Sequence, residues 1–337
     1  MDYWFLITKI TNLSPFNPPI GVQIIRSDND RLIAWIIPYG ARLMQLFIRT
    51  TNQWRPLILG FKNPRFYRND TESIGAICGR YANRIEDGRI TNGQQWFELD
   101  KNHHLGHCIH GGYEGTGQQN WKLYKENKSM IKASCYLPDG HMGFPGACTI
   151  EARYWLIKQT LHFTIDAILS APCPLNFVQH AYFAWDKPNR YLLQVNAEKA
   201  LLTNHLELPT FEVDVDSTDT IYKSPKPLTN NGQEQFRAID RAFRIHRNNR
   251  STEAAKAAIL ETPEIRLIVS TTEPLIHVYT GQGIKPNQTQ ALGLKHRPLA
   301  SVCLESENFP NGPALCKNVW HDENRPYRQY TTWEFQT

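Results

Sequence analysis

Several features that would fix the class of this protein at once are missing from its 337 residues. No run of about 18 consecutive apolar residues occurs, which excludes a membrane-spanning helix. No Lys/Arg-rich block occurs, and the net charge of +5 is small for this length. The charge pattern therefore gives no reason to expect a nucleic acid or a membrane surface as a partner.

The chain also lacks any segment that would divide it. No Pro/Gly/Ser-rich linker is present, and no repeat with a period of about 20–50 residues recurs. All-β folds can contain well over 200 residues in one unit. We therefore expect residues 1–337 to form a single domain.

Paired cysteine motifs are absent as well. The sequence has seven cysteines and no CxxC pair: Cys78, Cys108, Cys135, Cys148, Cys173, Cys303 and Cys316. The N-terminus has an acidic second residue and too short an apolar stretch for a secretion signal. These features predict reduced thiols in a cytoplasmic protein and argue against a cysteine zinc site.

What the sequence does contain is strand signals and aromatic residues, which make up 11% of the chain. Aromatic side chains favour pleated surfaces and also form platforms for sugars. Apolar residues alternate with polar ones over 161–167 and 265–270, and the segment 154–167 has the pattern of a hairpin. Only 252–260, rich in alanine after a candidate N-cap, predicts a helix. The pattern as a whole predicts an all-β sandwich with few short helices.

Four polar stretches are candidates for function, and each also has a structural interpretation. The arginines and asparagine of 79–85 suit recognition of oxygen-rich ligands or could simply bind carbonyl groups at a strand end. The histidines of 103–110 resemble a metal site, but their spacing favours a solvated loop with one ligand-binding histidine. His180 lies in an apolar strand-like setting typical of a core residue. Glu305 and Glu307 share one face of an extended segment.

Taken in order, these segments resemble the aldose 1-epimerase (galactose mutarotase) family. The matching segments are Gly-Arg-Tyr-Ala-Asn-Arg-Ile at 79–85, Ile-His-Gly-Gly at 109–112, Pro-Asp-Gly with Gly-Phe-Pro-Gly at 138–146, Asn-Phe-Val-Gln-His-Ala-Tyr-Phe at 176–183, Thr-Thr-Glu-Pro with Val-Tyr-Thr-Gly at 271–281, and Cys-Leu-Glu with Phe-Pro at 303–310. Each motif is weak by itself, but six in the same order over most of the chain are specific.

The resemblance implies a large single-domain β-sandwich, the galactose mutarotase-like supersandwich, that interconverts the α and β anomers of free hexoses without a cofactor or metal. It implies that Glu305 is the general base and His180 the general acid, so that the reaction needs an ionised Glu305 and a protonated His180. The residues expected to bind the sugar are Arg80, His110, Asp240, Asn83 and Tyr182. The implied partner is a small aldohexose, and the protein is expected to be a monomer or homodimer.

Three positions depart from the family pattern. His277 replaces the Gln of the Gln-x-Tyr-Thr-Gly strand, Glu307 replaces the Gln two residues after the proposed base, and Asn311 replaces the Asp of Phe-Pro-Asp. Glu307 is expected to raise the pKa of Glu305 by like-charge repulsion.

Two other functions remain open at this point. A non-catalytic sugar-binding or sensor protein on the same scaffold is the main alternative, although a decayed site would first have lost Glu305 or His180. A metal-dependent hydrolase that uses the 103–110 histidines is the other, and a chelator would abolish its activity.

Overall fold

The computed structural model describes residues 14–51, 53–214, 222–230, 233–247, 253–286 and 291–337. The N-terminal residues that bear on a secretion signal lie outside these ranges. Within them the helical elements are short 3-10 helices: Pro64–Asn69, Glu86–Gly88, Thr116–Gln118, His141–Gly143 and Pro188–Arg190. None of the helices in the described ranges has the length and apolar character needed to span a membrane.

Strands make up the rest of the ordered elements. The first nine are β1 (Gln23–Arg26), β2 (Leu32–Ile36), β3 (Leu43–Arg49), β4 (Trp54–Pro56), β5 (Ile77–Cys78), β6 (Arg84–Ile85), β7 (Arg89–Thr91), β8 (Trp96–Glu98) and β9 (Cys108–Ile109). The next ten are β10 (Lys122–Lys125), β11 (Met130–Leu137), β12 (Cys148–Ile157), β13 (Thr160–Leu169), β14 (Cys173–Pro174), β15 (Val178–Gln179), β16 (Tyr182–Phe183), β17 (Leu192–Val195), β18 (Ala197–Thr203) and β19 (Pro209–Asp214). The last eight are β20 (Lys226–Pro227), β21 (Asp240–Ile245), β22 (Ala255–Glu261), β23 (Arg266–Thr271), β24 (Leu275–Tyr279), β25 (Val302–Glu307), β26 (Trp320–His321) and β27 (Tyr327–Gln336).

Two large antiparallel sheets dominate the architecture. One has nine strands in the order β10-β11-β12-β13-β27-β23-β22-β17-β20, and the other has six in the order β16-β25-β24-β21-β18-β19. A four-stranded sheet, β1 to β4, adds a further layer. The prediction of an all-β sandwich with few short helices is therefore confirmed.

The predicted hairpin over 154–167 is present as β12 and β13. Leu156 pairs with Leu161, and Lys158 adopts a φ of 51° in the tight turn between the strands. Residues of β13 alternate between buried and half-exposed positions, as a strand with one covered face requires. Phe163 packs edge-on against Trp333 of β27, with ring centroids 5.3 Å apart, and this contact anchors the hairpin in the core.

The predicted helix over 252–260 is wrong. Residues 255–261 form strand β22, which lies between β17 and β23 in the nine-stranded sheet, whereas Thr252 lies outside the described residues. Ala257, Ala258, Ile259 and Leu260 are all buried. A segment covered on both faces shows no two-residue periodicity, so alanine propensity dominated the prediction while sheet packing determines the fold.

Candidate active site

The site lies on one face of the six-stranded sheet, and the strand register places its residues. His277 of β24 pairs directly with Glu305 of β25, and Asp240 of β21 pairs with the residue two positions further along β24. Because successive side chains of a strand point to opposite faces, Glu305 and Glu307 share the face of His277. Leu304, which precedes Glu305, joins the main apolar core on the opposite face.

His180 is fixed opposite Glu305 by its own backbone. Its amide N–H donates to the carbonyl of Ala76 at 2.8 Å, and its carbonyl accepts from the amide of Gly75 at 2.9 Å. Its ring Nε2 lies 3.5 Å from Oε2 of Glu305, and its Nδ1 lies 3.5 Å from Sγ of Cys303. The structure thus brings the two predicted catalytic groups together.

Tyr182 packs against the ring of His180. Its ring stacks on that of His180 with centroids 5.1 Å apart, and its hydroxyl donates to the carbonyl of Glu72 at 2.8 Å. The residue is only 1% exposed. Tyr182 therefore positions His180 and does not present its ring to the cavity, in contrast to the expectation that it contacts a sugar.

His110 and Asn83 come from two loops that meet above the sheet. The Nδ1 atom of His110 accepts from the backbone N–H of Asn83 at 3.3 Å, so the neutral imidazole carries its proton on Nε2. Burial and the nearby His180 hold the pKa of His110 well below its usual value. The absence of a side chain at Gly111 lets the loop of His110 approach the loop of Asn83, because a Cβ at residue 111 would lie 2.0 Å from the carbonyl oxygen of Gly79. His110 is thus a neutral hydrogen-bond donor.

Asp240 and Glu307 lie on either side of His277. Nε2 of His277 is 2.6 Å from Oδ1 of Asp240, and its Nδ1 is 3.1 Å from Oε1 of Glu307. Burial alone would lower the pKa of His277, but hydrogen bonds to the two carboxylates and their charges raise it well above its usual value. Burial would raise the pKa of Asp240, yet the hydrogen bond and charge of His277 lower it to about 2.

Arg84 is the site arginine that the sequence analysis missed. Its guanidinium lies 3.8 Å from Oδ2 of Asp240 and forms an ion pair with Glu207. Nε2 of His103 lies 3.3 Å from the same Glu207 carboxylate, so these residues form a charged rim. The signal was available, because Arg84 follows Asn83 in the same motif as Arg80.

The structure places Arg80 away from this cluster. Arg80 is 1% exposed, and its guanidinium donates to the backbone carbonyls of Pro145, Gly146 and Pro138 at 3.2, 2.7 and 2.9 Å. Its fourth carbonyl contact is to Leu137 at 3.4 Å. Arg80 therefore fixes the 137–146 segment, which is the structural interpretation of this arginine.

The expected solvated loop is wrong for most of the 103–110 histidines. His104 is exposed, but the His103 side chain is 8% exposed and His107 is 1% exposed. Nδ1 of His107 accepts from the backbone N–H of Asp87 at 3.1 Å. His103 and His107 contact other residues of the same chain outside the catalytic pair. Of the four histidines, only His110 lies against the pair, with its ring centroid 5.4 Å from that of His180.

A cavity of about 220 Å³ opens beside Asn83, Asp240 and His277. Its lining combines polar residues with apolar ones: Asn83, Arg84, Thr203, Glu207, Asp240, His277 and Gln282, together with Leu201, Pro209, Ala242 and Pro310. Fixed donors and acceptors combined with apolar surface suit a small ligand with many hydroxyl groups.

Burial sets the protonation of the catalytic pair. Loss of water contact raises the pKa of Glu305 to about 8, against the opposing charge of His277. Loss of water contact also lowers the pKa of His180 to about 3. At neutral pH the pair thus holds one proton, and this proton lies on Glu305. The family resemblance implied the same number of protons, with the proton on His180 and Glu305 ionised.

One group of potential metal ligands occurs among the described residues: His180, Cys303 and Glu305. The thiol faces Nδ1 of His180, whereas the carboxylate faces Nε2 of the same ring. One ligand atom from each of the three residues lies within 4.8 Å of the other two. Burial raises the pKa of the Cys303 thiol well above its usual value, which disfavours a thiolate ligand.

The strands form a sandwich, and Glu305 and His180 form a buried carboxylate–imidazole pair next to His277, which lines the cavity. These features define the class as a β-sandwich protein equipped for acid/base chemistry. A family model described as aldose 1-epimerase matches residues 23–318. The chain belongs to this family, whose members are isomerases that act on small sugars.

The chain is also similar to individual aldose 1-epimerases and galactose mutarotases over most of its length. The chain is 25% identical over 321 residues to an aldose 1-epimerase of Escherichia coli K12, covering 91% of this chain and 92% of that protein. It is 28% identical over 301 residues to a galactose mutarotase of Sus scrofa, covering 86% of each chain.

Solved structures show the same fold. A GalM/aldose epimerase homologue from C. elegans superimposes with a TM-score of 0.85 at 22% identity, covering 94% of this chain and 98% of that one. A galactose 1-epimerase from Lactobacillus acidophilus NCFM gives a TM-score of 0.78 at 21% identity, with coverage of 94% and 98%.

Proposed function

We propose that the protein is an aldose 1-epimerase that interconverts the α and β anomers of free aldohexoses such as galactose and glucose. The observation that carries this proposal is the buried pair of Glu305 and His180, whose Oε2 and Nε2 atoms are 3.5 Å apart. Two proton-transfer groups at this separation can act on neighbouring oxygens of one small molecule.

The proposed reaction needs only these two groups. Glu305 removes the proton of the anomeric hydroxyl while His180 donates a proton to the ring oxygen. The bond between C1 and the ring oxygen breaks, its electron pair goes to that oxygen, and C1 becomes an aldehyde carbon. After rotation about the C1–C2 bond, the reverse transfers close the ring on the other face. Each positioned group contributes roughly 10²–10⁴-fold to the rate.

The proton balance of the pair suits this cycle. The protonated Glu305 with neutral His180 and the ionised Glu305 with protonated His180 contain the same number of protons. A bound sugar replaces lost hydrogen bonds to water with its own hydroxyl groups, which offsets the desolvation that holds the proton on Glu305. The reactive state is therefore reached without exchange of a proton with solvent.

We propose that the other sugar hydroxyls are held by His110, Asn83, Arg84 and Asp240. The protonated Nε2 of His110 and the guanidinium of Arg84 donate, and the carboxylate of Asp240 accepts. In this proposal Arg84 takes the role that the sequence analysis gave to Arg80, because Arg84 lines the cavity and Arg80 binds backbone carbonyls.

Polarimetry tests the proposed activity. The optical rotation of freshly dissolved α-D-galactose and α-D-glucose is followed with the wild-type protein, with Glu305→Gln, and with Glu98→Gln as a matched control. Glu98 is an exposed residue of β8, paired with Arg89. We expect Glu305→Gln to lose roughly 10²–10⁴-fold in kcat/KM and Glu98→Gln to match wild type.

Two outcomes would contradict this assignment. If the wild-type protein leaves the change in rotation at the buffer rate, the protein is no mutarotase for these sugars, and titration calorimetry with the same sugars then tests the alternative of a non-catalytic sugar-binding protein. If Glu305→Gln keeps the full rate, the base has been assigned to the wrong carboxylate.

A further inference from the structure

A row of three ionisable side chains runs from the cavity into the sheet. It begins at Asp240, whose side chain is 34% exposed, continues through His277 at 8%, and ends at Glu307, which is fully buried. The two contacts along the row are 2.6 Å and 3.1 Å long. Only the Asp240 end is accessible to a ligand to any large extent, so Glu307 acts through its neighbours.

The geometry favours a doubly protonated ring for His277. A neutral imidazole has one N–H, but here each ring nitrogen faces an oxygen of a carboxyl group within hydrogen-bond distance. The amide nitrogen of Asn83 also approaches Nδ1, at 3.3 Å, but the charged carboxylate of Glu307 is closer. An imidazolium can donate to one oxygen of each carboxylate at the same time.

The two departures from the family pattern therefore compensate each other. The pattern has neutral glutamine at both positions, whereas this chain has one added cation, His277, in contact with one added anion, Glu307. Without His277, Glu307 would be a fully buried carboxylate with no cation beside it, which is strongly unfavourable, while the pair is neutral as a unit. A glutamate at position 307 therefore depends on the histidine at position 277.

We propose that His277 and Glu307 form a coupled positioning pair that holds the Asp240 carboxylate ionised and fixed to accept a hydrogen bond from a sugar hydroxyl. Nε2 of His277 engages Oδ1 of Asp240, and Arg84 approaches Oδ2, so the carboxylate plane is set from both ends. This inference rests on the proposed function for the identity of the ligand, but the coupling of the pair does not.

The decisive experiment is a rescue. In His277→Gln, the amide oxygen faces a carboxylate and Glu307 loses its cation, so we expect KM for galactose to rise about 10-fold or more while kcat changes less. Adding Glu307→Gln restores the neutral pair, and KM should return to within about 3-fold of wild type. The matched control, His277→Gln with Glu98→Gln, should show no recovery. A double variant no better than His277→Gln overturns the proposal.

A second cycle tests whether the effect passes through Asp240. In Asp240→Asn the carboxylate is already lost, so adding His277→Gln should raise KM by less than about 3-fold. If the addition instead raises KM by about 10-fold, as in the wild-type background, His277 contacts the sugar itself and is not a positioning residue.

A measurement without sugar separates this inference from the proposed function. Urea unfolding should show that His277→Gln lowers the transition midpoint and that Glu307→Gln, added to it, raises the midpoint again. This rescue is expected even if the protein has no activity on hexoses, in which case only the proposed function fails. If the two substitutions lower the midpoint additively, the pair is not coupled.

Discussion

His277 and Glu305 face each other across the hydrogen-bonded strands β24 and β25. A cationic imidazole therefore lies directly beside the proposed base. Burial raises the pKa of Glu305, and the charge of His277 opposes that rise. The register of two strands thus limits how far the pKa of the base moves from the neutral range in which a proton-transfer group works best.

The pH dependence of kcat/KM is expected to be bell-shaped. The Glu305–His180 pair holds one proton between the pKa of His180 near 3 and that of Glu305 near 8. Above pH 8 the pair loses this proton and has no acid, whereas below pH 3 it gains a second proton and has no base. Activity should therefore fall on both sides, as measured by polarimetry across pH on the free sugar.

Glu305→Gln is the control for this assignment. Gln does not titrate, so its residual activity should lack the fall near pH 8 that we assign to Glu305. A profile that rises steadily from acid to alkali in the wild-type protein would contradict acid/base catalysis by this pair.

The two arginines of the 79–85 segment should separate binding from stability. We expect Arg84→Ala to raise KM about 10-fold with little change in stability, because this side chain is half-buried at the cavity rim. Arg80→Ala should lower the free energy of unfolding by roughly 3–5 kcal/mol, because it removes a buried cation from several backbone carbonyls. Urea unfolding and polarimetry on both variants measure these effects.

Arg80→Lys is a milder substitution that keeps the prediction testable if Arg80→Ala does not fold. Lysine keeps the charge but cannot contact the same carbonyls with a planar fork, so an intermediate loss of stability with an unchanged KM is expected. An increase in KM for Arg80→Lys, with Arg84→Ala unaffected, would show that the roles of the two arginines are reversed.

Glu273 should make stability depend on pH. Burial raises the pKa of this carboxyl to about 7 from its ordinary 4.5, and the hydroxyl of Tyr327 contacts it at 3.1 Å. Between these pH values the unfolded chain binds fewer protons than the folded protein, so the contribution of Glu273 to stability falls as pH rises, by up to about 3 kcal/mol.

Glu273→Gln removes this dependence. The difference in unfolding free energy between variant and wild type should therefore increase in favour of the variant from pH 4.5 to pH 7 and then stay constant. Urea titrations at a series of pH values measure it. A difference that is independent of pH would show that the pKa of Glu273 is the same in the folded and the unfolded protein.

The sequence predicted those parts of the fold in which one face of a strand is exposed. Residues 161–167 alternate visibly because one side of β13 meets the core, but β22 has buried neighbours on both faces and shows no such pattern. Trp155 of β12 is half-exposed and stacks on His162 with centroids 5.1 Å apart. Large aromatic area alone does not reveal which face of a strand is covered.

For the site, the motifs predicted which residues lie near one another but not their contacts. Glu305, His180, His110, Asn83 and Asp240 lie together, as the order of motifs implied. The motif contains both Arg80 and Arg84, but it does not show which guanidinium binds the carbonyls of a distant loop and which lines the cavity. The single-domain organisation, the monomeric or dimeric state and the cytoplasmic location stay predictions.

The alternation along β25 ties the chemistry of the protein to the length of one strand. Deleting Leu304, the one residue between Cys303 and Glu305, would exchange the two faces for the residues that follow it and send the carboxylates of Glu305 and Glu307 into the apolar core. Burying unpaired charges costs several kcal/mol each, which is comparable to the roughly 5–15 kcal/mol that holds a domain folded. Insertions and deletions in β25 would therefore abolish folding, so their effect on catalysis could not be observed. Variation in substrate preference must arise by substitution in this strand and by length changes only in the loops.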